Sequence, residues 1–155
     1  MKKKIAISIV MIIMIFCCTA CNPETGTMTC TMSSYPTDGI TLRSTYTAEY
    51  ENNIVKNLET MEQVTAEDKD NLEVYEERIQ ELYQGYQGID YYQNKTEIKG
   101  NTLTSTTNIN YEKVDTNKLI EVDSDNGGII KNGKVNIDDL REMYEQNGCN
   151  CKKEG

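Results

Sequence analysis

An α+β domain built on an antiparallel sheet is the fold class this 155-residue chain predicts, and three observations predict it. Runs of alternating polar and apolar residues come in pairs joined by short Asn/Gly turns, which signals hairpins. One long run instead repeats its apolar residues at helical spacing. The runs follow one another as β-β-β-α-β-β-α with no internal repeat. Such an order implies one sheet covered on one face by the long helix.

Each element has its own signal. Asn22 to Thr27 is a short polar tether containing Pro and Gly. Met28 to Ser34 reads as the first strand and carries Cys30, and Tyr35-Pro-Thr-Asp-Gly39 is a turn cluster. From Ile40 to Tyr50, residues Leu42, Ser44, Tyr46, Ala48 and Tyr50 face one way while Thr and charged residues face the other. That is a half-buried antiparallel strand. Glu51-Asn52-Asn53 turns the chain, and Ile54 to Val64 returns as the partner.

The long helix follows, with Thr65 as the expected N-cap and Asp68 three places on. Leu72, Tyr75, Ile79, Leu82, Tyr83 and Tyr86 form its apolar stripe, and Gly85 is placed to stop it. At this spacing the tyrosines read as core residues with hydroxyls reaching solvent, ahead of a sugar-binding platform. Ile89 to Lys99, a Gly100-Asn101 turn and Thr102 to Tyr111 form a second hairpin, with Leu103, Ser105, Thr107, Ile109 and Tyr111 on one face. Asp115 or Thr116 caps a short helical turn through Lys118, Leu119 and Ile120, and a polar loop runs from Asp123 to Gly128. Asn136 caps the last helix, whose apolar side is Ile137, Leu140, Met143 and Tyr144 and whose end is Gly148.

Ahead of this domain, MKKKIAISIVMIIMIFCCTAC has the layout of a bacterial lipoprotein signal: lysines, an apolar run from Ile5 to Phe16, then small residues before a cysteine. A spanning helix needs roughly 20 apolar residues, and this run falls short. Only Cys21 has small residues, Thr19 and Ala20, at both preceding places. The expected division is a signal peptide over 1–20, a lipidated Cys21 with its tether over 21–27, and one domain over 28–155. A diacylglyceryl group brings two chains, enough for stable anchoring where one is marginal. The expected location is therefore the outer face of the cell membrane. Asn22 after the lipidated cysteine and the abundance of Asn and Lys lean towards a Gram-positive cell.

Composition narrows the function. Loss of Lys2, Lys3 and Lys4 with the signal takes the net charge from −9 to −12, which disfavours nucleic acid and an anionic lipid surface alike. The chain has no His and no Trp, and its one Phe lies in the signal, so ten tyrosines are its aromatic residues. Without His, Ser-His-Asp and Cys-His pairs and the commonest metal ligand are excluded. Glu73, Glu76, Glu77 and Glu81 fall on the polar side of the helix, where charges are solvated. No acid–base pair stands out, no cofactor is implied, and no enzyme is expected.

Past Cys21 three thiols remain, Cys30, Cys149 and Cys151, in a compartment that permits disulfides. Cys30 can pair with Cys149 or with Cys151, and one thiol is left over. A three-cysteine zinc site is the less favoured reading, since its spacing is wrong and no His is present. Asp123 to Lys134 resembles a calcium loop only in part: position 134 should be a bidentate Glu and is Lys. No metal site is expected there. The sequon-like Asn94-Lys-Thr96 carries no information in a bacterial protein.

With the signal, Thr29-Cys30-Thr31 opening the first strand, the capped helix between hairpins, and a terminal Asn147-Gly148 leading to Cys151-Lys152, the chain resembles the YehR-like family of small bacterial lipoproteins. The likeness implies an α+β sheet-and-helix fold on a membrane lipoprotein, with no established activity to transfer. It also implies the pair Cys30–Cys151, which match the family's early and late cysteines; Cys149 departs from the pattern. The functional expectation is a non-catalytic interaction or accessory module with an unidentified protein or cell-envelope partner. The alternative is a lipoprotein binding a sugar or a cation in a cleft between helix and sheet.

Overall fold

The computed structural model describes residues 24–155. Its centre is a six-stranded antiparallel sheet in the order β4-β5-β3-β2-β1-β8. The strands are β1 (Thr25–Thr37), β2 (Ile40–Glu51), β3 (Ile54–Ala66), β4 (Tyr92–Lys99), β5 (Thr102–Asn110) and β8 (Asn150–Glu154). The signal and Cys21 lie outside the described residues. β1 starts three residues before the strand expected from Met28, so Thr25 to Thr27 pair with Glu51 to Glu49. Asn52 and Asn53 take φ of 49° and 63°, which gives the β2–β3 hairpin the two left-handed centres a tight turn needs.

The long helix α1 (Lys69–Gln84) connects β3 to β4. Its N-cap is Asp68, whose Oδ1 accepts from Asp70 N at 3.0 Å. Thr65, the expected cap, stays in the sheet instead, paired with Thr41 and Thr102, and its hydroxyl meets Thr102 Oγ1 at 3.1 Å. Ladder bonds on both sides of β3 outweigh one capping bond. Gly85 does close the helix, but with an ordinary φ of −65°. Its use is steric, since a Cβ there would sit 2.8 Å from Val122 Cγ1.

Beyond β5 come α2 (Thr116–Val122), capped by Asp115, and α3 (Asn126–Ile129). A small hairpin follows, β6 (Ile130–Lys131) and β7 (Lys134–Val135), and then α4 (Ile137–Gln146), capped by Asn136. The segment tested against a calcium loop is thus one helical turn and an Asn132-Gly133 hairpin, with φ of 53° and 72°. Asp123 Oδ1 accepts from Asp125 N at 2.9 Å within that turn.

One face of the sheet is packed, and its core falls into two clusters. α1 covers β3, β5 and β4, where Val64, Ala66 and Leu103 meet Leu72. α4 lies against β1 and β8, and its Ile137 and Leu140 join Met28, Cys30, Ala48 and Leu58 in the larger cluster. The stripe expected on α1 needs two corrections: Tyr86 lies beyond the helix end, and Leu82 is 64% exposed. It lies at the stripe's margin, and Tyr83 takes the inward position beside it.

Candidate site: a tyrosine cleft over a polar sheet floor

Between the two apolar clusters the inner face of the sheet turns polar. Strand alternation places Ser44, Glu62, Ser105 and Thr96 in one cross-strand row, and Tyr46, Thr60, Thr107 and Asn94 in the next. Ser105 and Thr107 are buried, at 1% and 4% exposure, and a buried hydroxyl must be hydrogen-bonded. Asn94 supplies the partner, its Nδ2 donating to Ser105 Oγ at 3.0 Å and Thr107 Oγ1 at 2.9 Å. The amide of the sequon-like Asn94 is therefore spent inside the fold.

Above this floor lies a cleft of about 280 Å³ between α1 and the α2–α4 segment. Its aromatic lining is Tyr46, Tyr83, Tyr86, Tyr92, Tyr111 and Tyr144. Tyr46 stacks on Tyr144 with centroids 4.2 Å apart, and Tyr86 on Tyr92 at 4.7 Å. The tyrosines of the expected helical stripe thus divide between two roles. Tyr75 packs in the second cluster as core, as its spacing predicted. Tyr83 and Tyr86 instead turn their hydroxyls to protein groups: Tyr83 Oη donates to Glu62 Oε2 at 3.4 Å, and Tyr86 Oη accepts from Asn126 Nδ2 at 3.3 Å. Burial pushes the Tyr83 and Tyr111 phenols up to about 12 and raises Tyr46, Tyr86, Tyr92 and Tyr144 as well. All six stay neutral near pH 7, so none can act as a phenolate base or nucleophile.

Glu62 is the charged group of the floor. Its burial raises the carboxyl above its ordinary value, partly countered by the long Tyr83 hydrogen bond. Among the described residues no ion pair reaches it. A folded value above the unfolded one means that Glu62 stabilises fully below about pH 4.5 and that this stability is lost as pH rises through the raised value. Glu62→Gln, which keeps an acceptor for Tyr83, should therefore melt higher than the native chain at pH 7. Calorimetric melting across pH 4 to 7 checks this: the advantage should shrink as pH falls, and a variant less stable at pH 7 would contradict it.

Sequence reasoning did not single out Glu62. The signal was available, since Leu58, Thr60, Glu62 and Val64 alternate along β3 and put a carboxylate on the apolar face. Glu73, Glu77 and Glu81 are exposed on α1, as their helix positions suggested, and Glu76 is half-buried. Among the described residues no three His, Cys, Asp or Glu side chains converge on a common point.

The structure pairs Cys30 with Cys151, cross-strand neighbours on β1 and β8. The alternative partner, Cys149, is a free buried thiol whose titration burial pushes up. Thiolate is the reactive form, so Cys149 should resist iodoacetamide in the native protein and label only after unfolding. Rapid native labelling, read by peptide mass, would refute this.

A family model described as a domain of unknown function, DUF8824, matches residues 22–155. No curated protein matches the chain by sequence. Two solved structures share its fold. A protein from Streptococcus pneumoniae TIGR4, solved by NMR, is 15% identical with a TM-score of 0.55, over 86% of this chain and 88% of its own. The E. coli YehR protein, also solved by NMR, is 15% identical with a TM-score of 0.53, over 84% of this chain and 91% of its own. At that identity the likeness is one of fold.

Proposed function

This chain belongs to the DUF8824 family, a domain of unknown function, and from that premise we propose that it is a non-catalytic binding module whose site is the tyrosine cleft. The module is held on the outer face of the cell membrane by a diacylglyceryl group on Cys21. The observation that carries the binding reading is the polar row through the middle of the core. A sheet face that only had to pack would be apolar there, yet Glu62, Ser105 and Thr107 interrupt it beneath an open, tyrosine-lined cleft. Pockets that recognise small molecules have this make-up, an aromatic and apolar wall with a few placed polar groups.

The neutral tyrosines and the absence of histidine leave the cleft without a phenolate or imidazole base, which supports binding over catalysis. A module that binds without reacting can serve an envelope partner as an accessory protein.

Two experiments test the two parts. A small-molecule screen by thermal denaturation should yield compounds that raise the melting temperature, since a ligand at 100-fold its Kd adds about 2.7 kcal/mol. NMR shifts of Tyr83 and Tyr92 should move with them; a screen that moves neither refutes the cleft. For the anchor, labelled palmitate should enter the native lipoprotein and not Cys21→Ala, which should be shed into the medium. Equal membrane retention of the two would refute the placement.

A further inference from the structure

We propose that the ligand of this cleft is a small organic cation carrying a protonated amine, with the Glu62 carboxylate as its counter-ion. The inference rests on the cleft being the binding site and adds the chemical class. Three carboxylates line the cleft, Glu62, Asp123 and Asp125, and no Lys or Arg does. An anion would meet repulsion on every side. Glu62 lies in the middle of the floor between Ser44 and Ser105, and the Tyr83 hydroxyl is its one hydrogen-bond partner among the described residues. A half-buried carboxylate with one long hydrogen bond and no cation beside it is unfavourable, and taking a cation from water relieves it.

The remaining lining suits an ammonium group. Neutral phenols and the Thr60 hydroxyl offer oxygen acceptors for N–H donors, and the electron-rich ring faces attract positive charge. A neutral sugar fits less well, because it brings no positive charge to the Glu62 carboxylate. A metal ion fits less well too, since among the described residues no three metal-binding side chains gather. At about 280 Å³ the cleft sits at the small end of ligand pockets, and the chain's net charge of −9 draws cations towards it.

Glu62 also makes binding sensitive to pH. The titratable groups facing it are Tyr83 from α1 and Tyr46 from β2, both held neutral by burial, while β5 and β4 present Ser105 and Thr96. An ammonium group favours the ionised carboxylate, so binding releases a proton wherever Glu62 is protonated beforehand. Affinity should fall as pH is lowered through the titration of Glu62.

The test is calorimetric titration and thermal melting of the full chain in nanodiscs, with putrescine, D-glucose and Ca²⁺ as probes. Putrescine should bind and raise the melting temperature, more weakly at pH 5 than at pH 7. Glucose and Ca²⁺ should do neither. Glu62→Gln should bind putrescine at least tenfold more weakly, while its melting temperature shows that it is folded. Stabilisation by glucose or by Ca²⁺ alone would overturn the cation assignment and leave the cleft as a binding site. Putrescine binding that Glu62→Gln and Tyr83→Phe leave unchanged would overturn it as well, by placing the amine elsewhere. No response to putrescine overturns it, and no response to any probe or to the wider screen removes the cleft reading with it.

Discussion

Replacing Cys30 and Cys151 together by alanine is expected to lower stability by roughly 4–5 kcal/mol. The bridge closes a loop with a sequence separation of 121 residues, and constraint of the unfolded chain grows with loop length. The loss is a large share of the roughly 5–15 kcal/mol that holds an ordinary domain together. It falls first on β8, a five-residue edge strand of mostly exposed polar residues paired only with β1. Nothing in Asn-Cys-Lys-Lys-Glu favours a strand by itself. Without the bridge β8 should fray, and α4, which packs on it, should lose one neighbour. Urea unfolding of the double variant should show a midpoint lower by about 2 M, for a typical slope of about 2 kcal/mol per molar. Cys149→Ala, measured beside it, should shift the midpoint far less. A double variant within about 1 kcal/mol of the native protein would show that the unfolded chain is already compact there.

Leu72→Ala is expected to cost about 2–5 kcal/mol. Leu72 is the one residue of α1 that is fully buried, at 1% exposure, and it fixes the helix to Val64, Ala66 and Leu103. Truncation leaves a void that the flanking strands cannot close, because β5 is paired with β3 along its whole length. Leu82→Ala, ten residues on in the same helix, should stay within about 0.5 kcal/mol, since that side chain is 64% exposed. Chemical denaturation of the two variants separates them. Because α1 also carries Tyr83, Leu72→Ala should loosen the roof of the cleft, visible as weaker protection of the amides around Tyr83. Equal losses for the two leucines would mean that α1 is docked differently.

The contrast between those leucines marks how far sequence reasoning reaches. Both sit on an acceptable helical stripe, and spacing gives only the side of the helix. Where the helix lies on the sheet decides which of them is covered. Thr65 is a similar case: capping chemistry favoured it, but the β3 ladder runs on to Ala66 and takes it first. Asn132-Gly133 is a strong hairpin signal set between runs of two residues, too short for alternation to be seen. The β-β-β-α-β-β-α order itself was legible because each strand of the two main hairpins is long and its turn residues are specific.

Local chemistry alone determined strands β1 to β5, the helix cap at Asn136 and the class of fold, because alternation, helical period and side-chain capping act within a few residues. Contact between distant segments decided the rest. Docking of α1 and of the α2–α4 segment on separate halves of the sheet created the cleft, and the alignment of three strands set Glu62 between Ser44 and Ser105. The closing of the C-terminus onto β1 chose Cys151 over Cys149. A carboxylate on a strand acquires its character from what covers it, and that cover comes from residues more than twenty positions away.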